Sequence, residues 1–253
     1  MHLVWIILNQ KWQYVKLISK LLAYHQLGSG IHIGLNRISS AKFETHLKIL
    51  NEMGFSSNPE YEILFDDGYE SVFNIAFTLM QKYGFIGHVF PVVGYIGKMN
   101  DWDVTFASIN KAKHLDASQI KILSDNGWEI GSHGLTHTAF TSLSYEKLKI
   151  ELDLSKQILE DIIQKKVTSI TPPFSRWNNH IKDLILDRGY KKIYYQHGFN
   201  FQADNTMIPR HSVYSIDGEN SIFRKLNNSK LEAVKELIIH KCSTLTVAVK
   251  EIL

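Results

Sequence analysis

The chain reads as one α/β domain built on a parallel sheet with crossover helices. Three observations predict this. Short apolar runs of strand character alternate with stretches whose apolar residues recur at helical spacing. Glycines close most of the helical stretches. The polar clusters fall where predicted strands end, which is where parallel α/β folds gather their chemistry from distant parts of the chain. At 253 residues the chain fits a single core. The alternation alone does not separate a closed barrel from an open doubly wound sheet.

The first strand runs from Leu21 to His25 and opens into a Gly/Ser loop that reaches Gly34. Ser39 or Ser40 caps a helix carrying Phe43, Leu47, Leu50 and Met53, which Gly54 stops. Tyr61 to Phe65 is a buried strand, Ser71 to Tyr83 a helix ended by Gly84, and Gly87 to Val93 the next strand. A long loop from Gly94 to Lys113 carries Asn100, Asp101, Trp102 and Asp103, an insertion of the kind that borders binding grooves. Ala117 to Asn126 forms a helix before Gly127, and Trp128 to Ile130 a strand that runs into Gly131-Ser132-His133-Gly134-Leu135-Thr136-His137. Ser144 caps a long amphipathic helix to about Gln164. A strand from Val167 to Thr171 stops at Pro172-Pro173, a helix follows from Asn178 to Arg188, and strands follow at Lys192 to Tyr195 and Met207 to Ser215. Leu231 to Leu253 is mostly a terminal helix.

Composition narrows the function classes. Hydrophobic residues are 44% and charged residues 21%, the balance of a folded globular chain. A net charge of +3 with scattered lysines gives no nucleic-acid footprint. Cys242 is the only cysteine, which excludes an intramolecular disulfide and a thiolate metal cluster. Leu3 to Leu8 is too short for a spanning helix and lacks the basic flank and cleavage site of a signal peptide. Residues 1–20 are therefore expected as an amphipathic extension capable of peripheral membrane contact, with residues 21–253 as the functional domain. The expected location is cytoplasmic or membrane-peripheral.

Asp66 and Asp67 end an apolar strand and precede Gly68. Neighbouring strand residues face opposite ways, so the two carboxylates should diverge and take different roles, one on a metal and one on protons. Both could instead cap the helix near Ser71. His133 and His137 lie four apart, so a helical turn would project both imidazoles from one face toward a single cation. Two histidines and one carboxylate with open positions is the donor set of a catalytic Zn²⁺ site. Trp102, Trp177 and Tyr69 are candidates to stack on a ligand through their ring faces. No G-x-S-x-G elbow is present, which argues against a serine hydrolase.

The run Leu64-Phe65-Asp66-Asp67-Gly68-Tyr69 resembles the TFDDG motif of the polysaccharide deacetylases, the NodB-homology group of carbohydrate esterases. Ser132-His133-Gly134-Leu135-Thr136-His137 resembles that family's H-(S/T)-x-x-H motif, and Thr171-Pro172-Pro173-Phe174 its Arg-Pro-Pro-Tyr motif. Leu21 to His25, with Phe43 to Gly54 behind it, is similar to the opening of members acting on poly-N-acetylglucosamine and related bacterial surface glycans. The resemblance implies a distorted (β/α)7-type barrel and a divalent metal, Zn²⁺ first with Co²⁺ or Ni²⁺ as alternatives. It further implies hydrolysis of N-acetyl groups on a glycan. Asp67, His133 and His137 would be ligands, Asp66 the general base, and the Phe174 backbone N–H an oxyanion donor.

Three departures stand beside it. Thr171 occupies the position of the arginine that orients the base, leaving Arg176 or Arg210 to reach in from elsewhere. The family's fourth motif is not recognisable. The Leu-x-His motif that supplies the general acid has no clear counterpart; His211, His197 and His25 are candidates, and His240 falls in a predicted helix. Trp102, Tyr69, Arg210 and His25 are the expected substrate contacts. A metal-retaining glycan-binding protein without turnover is the competing reading, and a separate base at Asp66 argues against it.

Overall fold

The computed structural model describes residues 20–29, 34–58, 61–101, 112–196, 204–227 and 229–239. The expected extension over residues 1–20 lies outside these apart from its last residue, as do Trp102, His197, His240, Cys242 and the terminal helix beyond residue 239.

Strand β1 (Leu21–Tyr24) sits at the centre of a seven-stranded sheet. Around it, in the order β6-β5-β4-β1-β9-β8-β7, lie β4 (Glu62–Asp67), β5 (Gly87–Pro91), β6 (Glu129–Ile130), β7 (Ser169–Ile170), β8 (Lys192–Gln196) and β9 (Met207–Ser212). Among the described residues its strands pair in parallel, as crossover helices require. The sheet curls until its two edges meet. Ser132 N–H donates to the Ser169 carbonyl at 3.0 Å and Thr171 N–H to the Ser132 carbonyl at 2.9 Å, a single bridge that joins β6 to β7. The result is the distorted (β/α)7-type barrel. A two-stranded ladder of β2 (Gln26–Leu27) and β3 (Arg37–Ile38) hangs from the loop after β1.

The helices pack outside: α1 (Ser40–Glu52), α2 (π-helical Val72–Phe77 continuing as Thr78–Lys82), α3 (Ala117–Asp125), α4 (Tyr145–Ile163), α5 (Asn179–Asp187) and α6 (Glu219–Leu226), with residues 230–239 helical beyond them. Their starts follow the expected chemistry. Ser39, Ser144 and Asn178 accept backbone N–H bonds as N-caps, and Asp116 with Gln119 forms a capping box. On α4 the buried positions Leu148, Leu152, Leu159 and Ile163 form one stripe against the barrel, each such side chain worth on the order of 1.5–3 kcal/mol when removed from water.

Alternation along the strands divides the core in two. Leu21, Ala23, Leu64, Phe90, Tyr194 and Ile208 fill the barrel interior, while Leu22, Tyr24, Ile63, Phe65 and Met207 face the helices. Carrying that parity forward sends His25, Asp66 and Arg210 to the interior at the carboxyl ends of β1, β4 and β9. It sends His211 to the outside.

Candidate metal centre and active site

Strand β4 ends in a turn that separates its two aspartates. Asp67 adopts φ 65° and Gly68 φ 68°, consecutive left-handed residues that Asp tolerates and Gly favours. A Cβ on Gly68 would sit 2.7 Å from the Pro91 Cα, so no larger residue fits. This turn takes Asp67 out of the strand's alternation. Its carbonyl is fixed by Val92 N–H at 3.3 Å and by the ring of His114, whose Nδ1 donates at 2.9 Å.

Asp67 Oδ1 lies 3.4 Å from His133 Nε2 and 3.4 Å from His137 Nε2. Two donors on a tetrahedral ion with bonds of ~2.1 Å are about 3.4 Å apart, so the three side chains fit one cation. Among the described residues they form the one His/Asp group close enough to do so. His133 Nδ1 donates to the Thr171 carbonyl at 2.7 Å, which turns Nε2 toward Asp67 as the nitrogen placed to meet a cation. The histidines do not stand on a helical turn. They occupy an irregular loop in which Gly134 has φ 80° and His137 φ 60°, and it is this loop rather than a 3.6-residue period that brings the rings together.

Asp66 points into the barrel and contacts a different set. Arg210 Nη2 donates to its Oδ2, Thr171 Oγ1 to its Oδ1 at 3.3 Å, and His25 Nε2 lies 3.8 Å away. Burial pushes the Asp66 carboxyl up, but Arg210, His133 and His25 outweigh it and hold the group below the usual carboxylate range. Asp67 is held well below that range: burial raises it, and the hydrogen bonds of His133 and His137 dominate. The guanidinium that Thr171 cannot supply thus arrives from β9.

Phe174 and Ser175 follow β7 with φ 56° and 53°, a left-handed pair next to the centre. The Phe174 ring packs 4.8 Å from that of His137. Ser175 Oγ accepts the Gln196 N–H at 2.6 Å, pinning the turn to β8.

Several sequence-expected residues lie elsewhere. His211, expected as an acid, is fully buried on the outer face of β9, where Nδ1 meets Glu236 Oε1 at 3.0 Å beneath the helix at 230–239. The ring and the neighbouring Arg210 face opposite ways, so His211 cannot reach the centre. Tyr69, expected to stack on a sugar, is 4% exposed; it lies 4.7 Å from the His114 ring, and its hydroxyl accepts from Asn100 Nδ2 at 3.0 Å. A ring so covered offers no stacking face. Trp177 packs on Tyr195 at 5.5 Å. Arg210, expected to meet substrate, is 4% exposed and pairs with Asp66.

Two residues that shape the centre escape the motif reading. His114 holds the Asp67 backbone, and Glu151 of α4 binds the loop between the two histidines. Glu151 had a visible signal: it falls in the apolar stripe of α4 between Leu148 and Leu152, where an unsatisfied carboxylate would be costly.

With this geometry in place, comparison with known proteins identifies the family. A family model described as polysaccharide deacetylase matches residues 56–193, more than half of the chain. The chain belongs to the polysaccharide deacetylase family. YxkH of Bacillus subtilis (strain 168), described as a polysaccharide deacetylase, is 26% identical over 188 residues, covering 68% of this chain and 62% of its own length. The chain thus spans about three fifths of that relative. The peptidoglycan deacetylase of Helicobacter pylori is 27% identical over 75 residues, 30% of this chain and 26% of that one. Among solved structures, the deacetylase PplD of Streptococcus pyogenes in complex with acetate superposes with a TM-score of 0.68 at 17% identity, covering 82% of this chain and 97% of that one. IcaB from Ammonifex degensii gives 0.65 at 16% identity, covering 83% and 96%. These structural likenesses establish the shared deacetylase fold. In this chain the guanidinium that meets Asp66 is that of Arg210 on β9.

Proposed function

We propose that the chain is a metal-dependent hydrolase that removes N-acetyl groups from an N-acetylated glycan of the bacterial surface or its precursor. The observation that carries this reading is the division of labour between adjacent aspartates. Asp67 lies 3.4 Å from both histidines, whereas Asp66 is held apart by Arg210 and Thr171. A protein that only bound glycan would have no use for the second, separately oriented carboxylate.

In this reading Asp67, His133 and His137 hold one divalent cation, with Zn²⁺ suited to two imidazoles and a carboxylate. The cation when bound supplies Lewis-acid charge that polarises the acetamide carbonyl and makes water acidic near neutrality. Asp66, ionised and oriented by Arg210, takes a proton from the attacking water. The oxygen adds to the acetamide carbon, and the Phe174 N–H donates to the oxyanion that forms, a contact of a kind worth about 2.7–4 kcal/mol. The C–N bond then breaks, and a proton passes to the leaving nitrogen, giving acetate and a free amine. His25 takes the role of acid here, since it ends β1 on the interior face 3.8 Å from Asp66.

The test is acetate release from N-acetylglucosamine oligomers. Activity that disappears on chelation and returns with Zn²⁺ or Co²⁺ is the expected result. Oligomer binding with no acetate released under any of these cations would replace the enzyme reading with a glycan-binding one.

A further inference from the structure

The loop between the two histidines is held by one carboxylate from outside it. Glu151, 4% exposed on α4, accepts Leu135 N–H at 2.6 Å and Thr136 N–H at 3.1 Å on Oε2, and the Thr136 hydroxyl on Oε1. Two successive backbone N–H groups converging on one anion form a nest, a concavity that binds negative charge, and here the chain fills it with its own side chain. A Cβ on Gly134 would lie 3.0 Å from Glu151 Oε2, so the glycine at that position makes room for the carboxylate. The carbonyls of the same loop are taken from the other side, Gly134 by Val93 N–H at 3.0 Å and Leu135 by Gly94 N–H at 2.8 Å. One turn further along α4, Ser155 Oγ meets Ser132 Oγ at 2.8 Å. The helix therefore grips the segment on both sides of His133.

His137 needs that grip. Its φ of 60° is a left-handed conformation that costs a non-glycine residue free energy and persists only where the surroundings enforce it. Glu151 holds the neighbouring Thr136 at two atoms, the amide and the hydroxyl, and Leu135 before it at a third, its amide. We infer that Glu151 is a positioning residue of the metal centre, acting through the 134–136 backbone to hold His133 and His137 at the spacing that one cation requires. The inference rests on the reading of Asp67, His133 and His137 as a metal centre. It adds to that reading a residue that touches neither metal nor substrate.

The test compares Zn²⁺ affinity, by competition with a chromophoric chelator, in the full chain and in Glu151→Ala, Glu151→Gln and Thr136→Val. Loss of a partner that orients metal ligands typically weakens binding 10–100-fold, and Glu151→Ala is expected in that range. Glu151→Gln retains a carbonyl oxygen for both N–H groups and is expected within a few-fold of wild type. Thr136→Val, which removes one donor and leaves the barrel core untouched, is expected to weaken binding several-fold. Wild-type Zn²⁺ affinity in Glu151→Ala would reduce Glu151 to a role in stability and overturn the inference. Should Glu151→Ala fail to fold, unchanged affinity in Thr136→Val would overturn it equally. Wild type that binds Zn²⁺ without releasing acetate removes the deacetylase reading and leaves this comparison decisive. Wild type that binds no Zn²⁺ removes both.

Discussion

Arg210 and Asp66 stand 144 residues apart in the chain and form a buried ion pair inside the barrel. Because the pair is sequestered from solvent, its geometry is fixed and removing one partner leaves the other charge stranded. Arg210→Met should lower turnover by roughly 10–100-fold, a part of the 10²–10⁴ that a well-placed base contributes, while bound metal stays stoichiometric. Metal analysis beside single-turnover kinetics checks this. Unaltered turnover would remove Arg210 from the machinery.

Restoring the family's arginine at the third motif should not improve the protein. Thr171 is fully buried, and its hydroxyl lies 2.5 Å from His133 Nδ1 as well as 3.3 Å from Asp66. Thr171→Arg would press a second guanidinium against Arg210 in a packed interior, where overpacking alone costs about 1–3 kcal/mol. Lower stability and lower activity are expected in urea titrations and assays, and partial recovery is expected when Arg210→Thr is added. A gain of activity in the single variant would contradict the account.

His25 is half-buried beside Asp66, and His211 is fully buried on the outer face of β9. His25→Gln should lose most turnover on substrates whose leaving amine needs a proton, whereas His211→Gln should keep its rate and lose stability. The latter cost is on the order of 1–3 kcal/mol, because Glu236 would lose a hydrogen-bond partner inside the cluster it shares with Lys225. The reverse pattern, in rates and in melting curves, would return His211 to the site.

His46 makes stability depend on pH. Burial lowers its pKa to about 4, with Lys42 adding to that against an opposing pull from Asp217, and the neutral ring meets the Tyr24 hydroxyl at 3.1 Å. The unfolded chain binds the proton near pH 6.5 and the folded chain only near 4. Stability from this group is therefore complete above about 6.5 and is lost as pH falls toward 4, roughly 3 kcal/mol in all. Urea midpoints between pH 7 and 4.5 should fall less steeply in His46→Gln than in wild type. Parallel slopes would refute the assignment.

The parallel α/β fold and the cluster of Asp67, His133 and His137 were legible in the sequence for different reasons, whereas closure into a barrel was implied only by the family resemblance. Strand and helix alternation depends on local periodicity, and Asp66-Asp67-Gly68 and His133 to His137 are short runs whose chemistry is local. Arg210, His114 and Glu151 come from remote segments, and only tertiary packing reveals which atoms they meet. The misassignment of His211 has a specific cause. Strand β9 is covered on both faces, so Met207, Ile208 and Pro209 are all apolar and give no alternation from which to tell inside from outside. Helix α6 gave little signal, being eight residues long with a glycine at its N-cap. The ladder of β2 and β3 is two residues deep and left no periodic trace.

The central claim is that three side chains share one ion while Asp66 stays apart. Anomalous diffraction from crystals grown with Zn²⁺, recorded at the zinc edge, tests it directly. One strong peak is expected at ~2 Å from Asp67 Oδ1, His133 Nε2 and His137 Nε2, with Asp66 still paired to Arg210. A peak ligated by Asp66, or no peak between the two imidazoles at full zinc loading, would contradict it.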